Sequence, residues 1–198
     1  MSRHRIIAIA AIGAVAVALG WGLMIGLSRI LRDTSGPAPA ADAPPPQTTP
    51  SQQPAVPKIK ATLFFGSEDG RSLVPVEQEI PLAEGKVAQA RALVEAQLSA
   101  VAPEPLAQTV PRGSKLRGLY VSDRNEAFVD LEAAVRDNHP GGSMNELFTV
   151  YTIVNALTTN LPEVQSVQLL IDGREVDTLA GHVDLRRPLR KNESLITP

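Results

Sequence analysis

The strongest constraint on this chain is an uncharged apolar run close to its N-terminus. The run, IIAIAAIGAVAVALGWGLMIGL, extends from Ile6 to Leu27 and has 22 residues without a charged or strongly polar side chain. As an α-helix it would be roughly 33 Å long, which matches the hydrocarbon thickness of a bilayer. Because backbone groups in lipid must be bonded internally, a helix is the expected form. The run therefore predicts a single transmembrane helix.

The alternative interpretation is a cleaved signal peptide. Its apolar region would be shorter, and a small-residue cleavage site would follow closely. The nearest such site, Ala38-Pro39-Ala40, lies more than ten residues beyond the run. Residues 1–5 carry more positive charge than the stretch after the run, which favours a cytoplasmic N-terminus. We therefore expect residues 1–32 to form a cytoplasmic tail and an uncleaved anchor in the bacterial cytoplasmic membrane, with the C-terminal part exported.

A proline-rich stretch follows the apolar run. Residues 33–57 contain eight prolines among 25 residues, and most of the others are Ala, Gln, Ser and Thr. Such a composition cannot bury enough apolar surface to offset the entropy lost on ordering. It predicts a disordered Pro/Ala-rich linker that reaches on the order of 75 Å when fully stretched. Residues 58–190 then form the predicted domain, and residues 191–198 a C-terminal tail.

Charge and cysteine content exclude several classes of function. The chain has 19 basic and 21 acidic residues, for a net charge of −2. A nucleic-acid-binding domain would normally carry a basic face, so no nucleic-acid partner is expected. The chain has no cysteine. This composition excludes disulfides, thiol catalysis, cysteine-based zinc sites and a lipid-modified cysteine.

The first half of the domain shows two strands, a helix and two further strands. Alternating apolar residues in 59–65 and 74–80 predict a hairpin, whose second strand is confined to a sheet edge by its prolines. Segments 115–121 and 126–131 predict two strands joined by a tight turn. Between the two pairs, apolar residues recur every three or four positions and predict an amphipathic helix. The expected apolar face of this helix is Val87, Ala90, Val94, Leu98 and Val101.

The second half shows a helix and a final pair of strands. Residues 141–160 predict the helix, with Ser143 and Glu146 as a capping box in which each side chain bonds the other residue's backbone N–H. Within SVQLLIDGREVDTL, Asp172-Gly173 predicts a hairpin of two short strands. The order ββ-α-ββ-α-ββ predicts an α+β fold, in which two helices pack on one mainly antiparallel sheet.

Several polar residues are candidates for chemistry. His182 and Asp184 stand two apart, which on a strand places both on one face. A serine hydrolase would need an exposed nucleophile, but Ser143 does not lie in a G-x-S-x-G motif. A glycosidase would need two carboxylates in a cleft, and Asp130 and Glu146 are each better explained by a structural role. The domain has two histidines and no H-E-x-x-H motif, so no metal or other cofactor is expected.

Taken together, the segments resemble the GerMN domain, also called Germane, a family named after a spore-germination protein. The resemblance covers roughly residues 60–189, and its most specific parts are VNAL on the second helix and the terminal TLAGHVDLRRPL. It implies a non-enzymatic envelope module that binds or assembles, with a fold similar to the ring-building motif of sporulation and secretion proteins. By this likeness, the positions with structural or interaction roles are Asp130, Glu146, Asn155, Gly181, His182, Asp184 and Pro188.

We therefore expect a non-catalytic, single-pass envelope protein that presents its domain to peptidoglycan, to an envelope protein or to another copy of itself. Asn155 is expected to bond a neighbouring loop, and Gly181 to turn the chain after the last hairpin. Asp184 is expected to be a buried carboxylate that accepts hydrogen bonds from backbone or an arginine and so fixes the final segment to the sheet. The alternative is a cell-wall-modifying hydrolase that uses Glu146, His182 and Asp184 in an exposed cleft.

Overall fold

The structure, a computed structural model, describes residues 57–197. The predicted transmembrane run lies outside these residues, and so does the predicted linker except for Pro57. Both stay predictions. In the described part of the chain, none of the helices combines the length and the apolar character that crossing a bilayer requires.

The described residues form five strands and three α-helices, followed by one 3₁₀ turn at Glu193–Leu195. The elements of the first half follow the predicted order of two strands, a helix and two strands. A short additional helix precedes the long second helix. In chain order they are β1 Lys58–Gly66, β2 Leu73–Pro81, α1 Lys86–Ser99, β3 Leu116–Val121, β4 Glu126–Leu131, α2 Ala134–Asp137, α3 Ser143–Asn160 and β5 Ser166–Ile171.

The strands belong to two sheets. β1 and β2 form an antiparallel pair by themselves. The other sheet has the order β3-β4-β5, with β3 antiparallel and β5 parallel to β4. The predicted α+β class is confirmed, whereas the prediction of one mainly antiparallel sheet is wrong. The reason is α3: it lies between β4 and β5 in the chain, and a helix of this length is the crossover that lets two strands pair in parallel.

Helix α3 lies at the centre of the domain and contacts β1, β5 and α1. Its buried residues therefore occur around most of its circumference rather than on one stripe. Phe148 and Ala156 pack in one apolar cluster with Phe64 and Leu73, and the other buried apolar residues of α3 join the main core. The main core also contains the inward side chains of β3, β4 and β5.

Helix α1 buries only part of the predicted face. Val87 and Val101 are 41% and 77% exposed. Ala90, Leu93 and Val94 are buried against the core. The polar residue Gln97 is also buried on this face, and Leu98 is half-buried and packs against the core.

Two helical amides cover the free edge of β1. The Asn160 side chain accepts a hydrogen bond from the Thr62 N–H and donates one to the Thr62 carbonyl, both at 2.8 Å. Two residues further along the strand, Gln97 does the same for Phe64 at 2.9 and 3.0 Å. Each amide thus replaces one residue of a neighbouring strand. These backbone groups consequently have no need of a third strand.

Backbone contacts and prolines protect the rest of the two edges of the β1–β2 hairpin. Gly66 exchanges two backbone hydrogen bonds with Ala107, at 2.9 and 2.8 Å. Since Gly66 faces Leu73 in the register, Leu73 also directs its backbone groups outward, and its carbonyl accepts from the Thr197 N–H at 2.9 Å. By the same alternation, the outward positions of β2 include Pro75 and Pro81, which have no N–H to leave unpaired.

The predicted second hairpin forms only its turn. Asp172 and Gly173 both have positive φ, and Ile171 and Arg174 exchange backbone hydrogen bonds across them. Between Arg174 and residue 197, where the description of the chain ends, there are isolated bridges but no strand, so the predicted eighth element, a second strand after this turn, is wrong. The chain from 172 to 192, called the C-terminal segment below, is largely irregular.

The domain extends beyond its predicted end at residue 190. Leu195 and Ile196 pack against the apolar cluster around Phe64 and Leu73. The side chain of Ser72 is 2.7 Å from that of Thr197, so the two hydroxyls share a hydrogen bond. Residues 191–197 are therefore part of the folded domain rather than a tail.

Candidate functional site

Glu146 lies in the first turn of α3 and is fully buried. Its Oε1 accepts hydrogen bonds from the backbone N–H groups of Leu179 and Ala180, both at 2.9 Å. Its Oε2 accepts one from the His182 N–H at 2.8 Å and lies 3.1 Å from the His182 Nδ1. The carboxylate and loop 179–182 together form what we call the Glu146 site.

The predicted capping box is absent. Gly142 is the N-cap residue of α3, and no side chain caps that end of the helix. Glu146 turns away from Ser143, because loop 179–182 provides three backbone donors where the capping box would provide one. The signature carboxylate therefore joins the helix to a distant loop rather than closing the helix end.

The environment of Glu146 affects its pKa in two opposing ways. Burial raises the pKa, but the backbone N–H groups of Ala180, His182, Val183 and Leu179 lower it by more, so that it lies below the ordinary value of 4.5. Glu146 is thus ionised at neutral pH. A general acid would need a raised pKa and access to substrate, and Glu146 has neither.

Loop 179–182 has the backbone shape that the carboxylate requires. Gly181 has a φ of +100°, a region that residues with a Cβ rarely adopt. This turn brings successive N–H groups toward one anion, as backbone nests do. His182 lies in a bend and not on a strand, and its side chain is 45% exposed.

Asp184 does not take part in the Glu146 site. It accepts hydrogen bonds from the Arg186 N–H at 3.0 Å, from Nε at 2.9 Å and from Nη2 at 2.8 Å. These bonds to Arg186 hold the pKa of Asp184 well below its usual range. The prediction of a buried carboxylate that fixes the segment to the sheet is wrong, because the side chain is 54% exposed and bonds only its own bend.

Asp130 forms a second polar site, at the end of β4. Its Oδ1 accepts from the Gly173 N–H at 2.7 Å, and its Oδ2 binds the Arg117 guanidinium. A Cβ on Gly173 would lie 2.8 Å from Nη1 of Arg117 and would also force an unfavourable positive φ. Asp130 thereby holds the turn that follows β5.

Asn155 forms a third polar site, on the buried side of α3. Its Nδ2 donates to the Asn192 carbonyl at 3.2 Å, and its Oδ1 accepts from the Asn192 N–H at 3.0 Å. Pro188, by contrast, is exposed. It precedes Leu189, which exchanges two backbone hydrogen bonds of 2.8 Å with Val167 of β5.

The seven predicted positions therefore occupy different places. Glu146, Gly181 and His182 are brought together, whereas Asp130, Asn155, Asp184 and Pro188 are not part of that group. A further buried residue, Gln168, donates to the Leu185 carbonyl at 2.7 Å and was not predicted. Four of the buried polar residues bind the C-terminal segment: Asp130, Glu146, Asn155 and Gln168. Within residues 57–197, no group of three or more His, Asp or Glu side chains has the arrangement of a metal site.

These contacts define a small α+β domain whose buried polar side chains bind its own loops. The chain belongs to the Germane family, described as sporulation and spore germination, whose profile matches residues 62–177. The predicted family is thus confirmed. The matched residues end before Gly181, so the last four predicted signature positions lie beyond them.

Two solved structures with TM-scores above 0.5 show the same fold. The tandem GerMN domains of the sporulation protein GerM from Bacillus subtilis are 16% identical, with a TM-score of 0.57; the match covers 68% of this chain and 46% of that one. The first GerMN domain of the same protein is also 16% identical, with a TM-score of 0.51 and coverage of 69% and 98%. A third structure, "Putative Lipoprotein from Clostridium perfringens", has 24% identity, a TM-score of 0.48 and coverage of 69% and 90%. No curated protein matches the sequence.

Proposed function

We propose that this chain is a non-catalytic, single-pass cell-envelope protein that presents its GerMN domain on a proline-rich linker as a binding module. The observation that carries the proposal is the state of Glu146. Its two oxygens are occupied by loop 179–182, and its side chain has no exposed surface. The strongest candidate for acid–base chemistry is therefore used for structure.

The alternative hydrolase would need Glu146, His182 and Asp184 to converge on an open cleft. Glu146 and His182 are in contact, but the Asp184 carboxylate is occupied by Arg186. Four cavities of the described domain, of about 290 to 460 Å³, are lined by other residues. This arrangement supports binding over hydrolysis.

Binding to a different partner is favoured over assembly through strand pairing. Thr62 and Phe64 on the free edge of β1 already have side-chain partners, and the β2 edge contains Pro75 and Pro81. Natural proteins use such features to prevent sheets from joining edge to edge. Light scattering on the full-length protein should accordingly show no oligomer formed through these edges.

Incubation of the full-length protein with purified peptidoglycan tests the proposal. A binding module should sediment with peptidoglycan, or recover a specific envelope protein, without releasing soluble muropeptides. A hydrolase should release muropeptides and lose that activity in His182→Ala or Asp184→Asn at an unchanged melting temperature. The latter result would overturn the proposal.

A further inference from the structure

A cavity of about 380 Å³ lies between the β1–β2 loop, the chain around Ala107–Arg112 and the first turns of α3. This volume falls within the range of about 300–1,000 Å³ that is common for small-ligand sites. Val110 and Phe148 contribute buried apolar surface to the cavity. Its exposed polar lining residues include Arg112, Asn138 and Asn145. An apolar floor with a few polar groups is the usual composition of a ligand site.

The charge of this cavity is opposite to that of the domain. Residues 58–198 contain 15 basic and 19 acidic residues, which gives a net charge of −4 (15 − 19). The residues that line the cavity nevertheless include one arginine and no carboxylate. Asp69, in the adjoining loop, is not among them and is bonded to Ser67 and Arg71. The cavity therefore favours an anionic ligand.

Arg112 is the group that would bind the anion. Among residues 57–197, the ion pairs within 4.0 Å do not include its guanidinium. Arg112 also lines an adjacent cavity of about 400 Å³ that contains Lys115 and again no carboxylate. A guanidinium presents a planar pair of donors that matches a carboxylate.

Asn138 and Asn145 indicate which groups a ligand should carry in addition to its carboxylate. Asn138 uses its Nδ2 to bond the Arg112 carbonyl at 3.3 Å, and Asn145 uses its Nδ2 to bond the Gly141 carbonyl at 2.8 Å. Each side chain therefore retains its Oδ1 as an acceptor. A fitting ligand carries N–H or O–H donors near its carboxylate, and small apolar groups that can contact Phe148.

We propose that this cavity binds the carboxylate-bearing peptide of the bacterial cell wall, with Arg112 on the carboxylate. The ligand assignment rests on the proposed envelope function. A protein C-terminus is the competing source of the same chemistry, and such tails commonly bind by adding a strand to a sheet edge. Here the adjoining edge of β1 is closed, because Gly66 pairs with Ala107 and Phe64 with Gln97.

Calorimetry on the full-length protein in detergent, with muramyl dipeptide as the probe, tests the proposal. Its methyl ester lacks the carboxylate and serves as the matched ligand. We expect the acid to bind at least about tenfold more tightly than the ester, as a charged hydrogen-bonded pair implies. Arg112→Gln should remove this difference. Arg124→Gln, which removes an exposed arginine from the β3–β4 turn outside the cavity, should preserve it.

Three results would overturn the proposal: no binding of the acid, equal binding of acid and ester, or an acid–ester difference that persists in Arg112→Gln. Tighter binding of unrelated peptides with free C-termini, lost in Arg112→Gln, would instead assign the cavity to a protein tail. If the protein sediments with peptidoglycan but does not bind the probe, the cavity assignment fails and the proposed function stands. Release of muropeptides would overturn the proposed function itself.

Discussion

Glu146 places a negative charge where water does not reach, and loop 179–182 provides the groups that make this state stable. A buried carboxylate without partners would cost several kcal/mol. Three backbone N–H groups at 2.8–2.9 Å compensate for the lost water. The charge and the loop conformation thus depend on each other, and a change in either one should be measurable as stability.

Replacement of this carboxylate by an amide should destabilise the domain. In Glu146→Gln, one oxygen becomes an NH₂ group that faces a backbone donor. We expect the free energy of unfolding to fall by about 1–3 kcal/mol, measured by urea denaturation. Glu163→Gln, which alters an exposed carboxylate, should stay within about 0.5 kcal/mol of the wild type. Equal urea midpoints for the two variants would contradict the structural role of Glu146.

The lowered pKa of Glu146 also predicts a dependence of stability on pH. Because the pKa is lower in the folded than in the unfolded state, the unfolded chain binds the proton first as the pH falls. The stabilisation is fully present above the unfolded value near 4.5 and is lost as the pH falls through the folded value. Acid titration of the unfolding free energy should therefore be less steep in Glu146→Gln than in the wild type. An identical slope would show that Glu146 does not contribute.

The partners of Glu146 could not be predicted from the sequence. Ser143 stands three residues away and suggests a local capping box, whereas the real donors lie 33 to 36 residues further on. Short spacings reveal local hydrogen bonds but not the approach of a distant loop. For Asp184, the predicted kind of donor, backbone or an arginine, is present, but it is the local Arg186, so the carboxylate does not reach the sheet.

At the scale of elements, apolar periodicity identified the strands of both β1–β2 and β3–β4 and the two long helices. It could not identify the parallel pairing of β4 with β5, because that contact joins strands separated by α3. It identified only part of the buried face of α1, where Ala90 and Val94 are buried as predicted but Gln97 is also buried and Val87 is exposed. The position of Gln97 among the apolar residues of α1 was the one sequence signal for the side-chain amide contacts with β1.

The amide contacts along β1 predict a local change in hydrogen exchange. In Asn160→Ala, the Thr62 N–H loses its acceptor and should exchange about fivefold faster or more, since a lost net hydrogen bond corresponds to about 1 kcal/mol. The Phe64 N–H, which is bonded to Gln97, should change much less. Gln97→Ala should reverse the pattern. NMR exchange rates that change equally at both amides in each variant would indicate global destabilisation instead of edge protection.

At the scale of the whole molecule, the described domain and the N-terminal region differ in composition and in the structure that the composition predicts. The domain buries apolar residues from both sheets around α3 and uses polar side chains to hold its irregular C-terminal segment. The N-terminal region has a 22-residue apolar run and then eight prolines in 25 residues. Composition alone supports the expectation of an anchor and a linker, and a membrane experiment can test it.

The predicted anchor should depend on the apolar character of its centre. Ala14→Arg with Val17→Arg should shift the full-length protein from the membrane to the soluble fraction, because each arginine at a helix centre costs about 2.5–3.5 kcal/mol on insertion. Ala14→Leu with Val17→Leu is the matched control and should stay in the membrane after an alkaline wash. Intact mass spectrometry of the wild type distinguishes the signal-peptide alternative. A mature protein that begins after Ala40 would show that the apolar run is removed and does not anchor the domain.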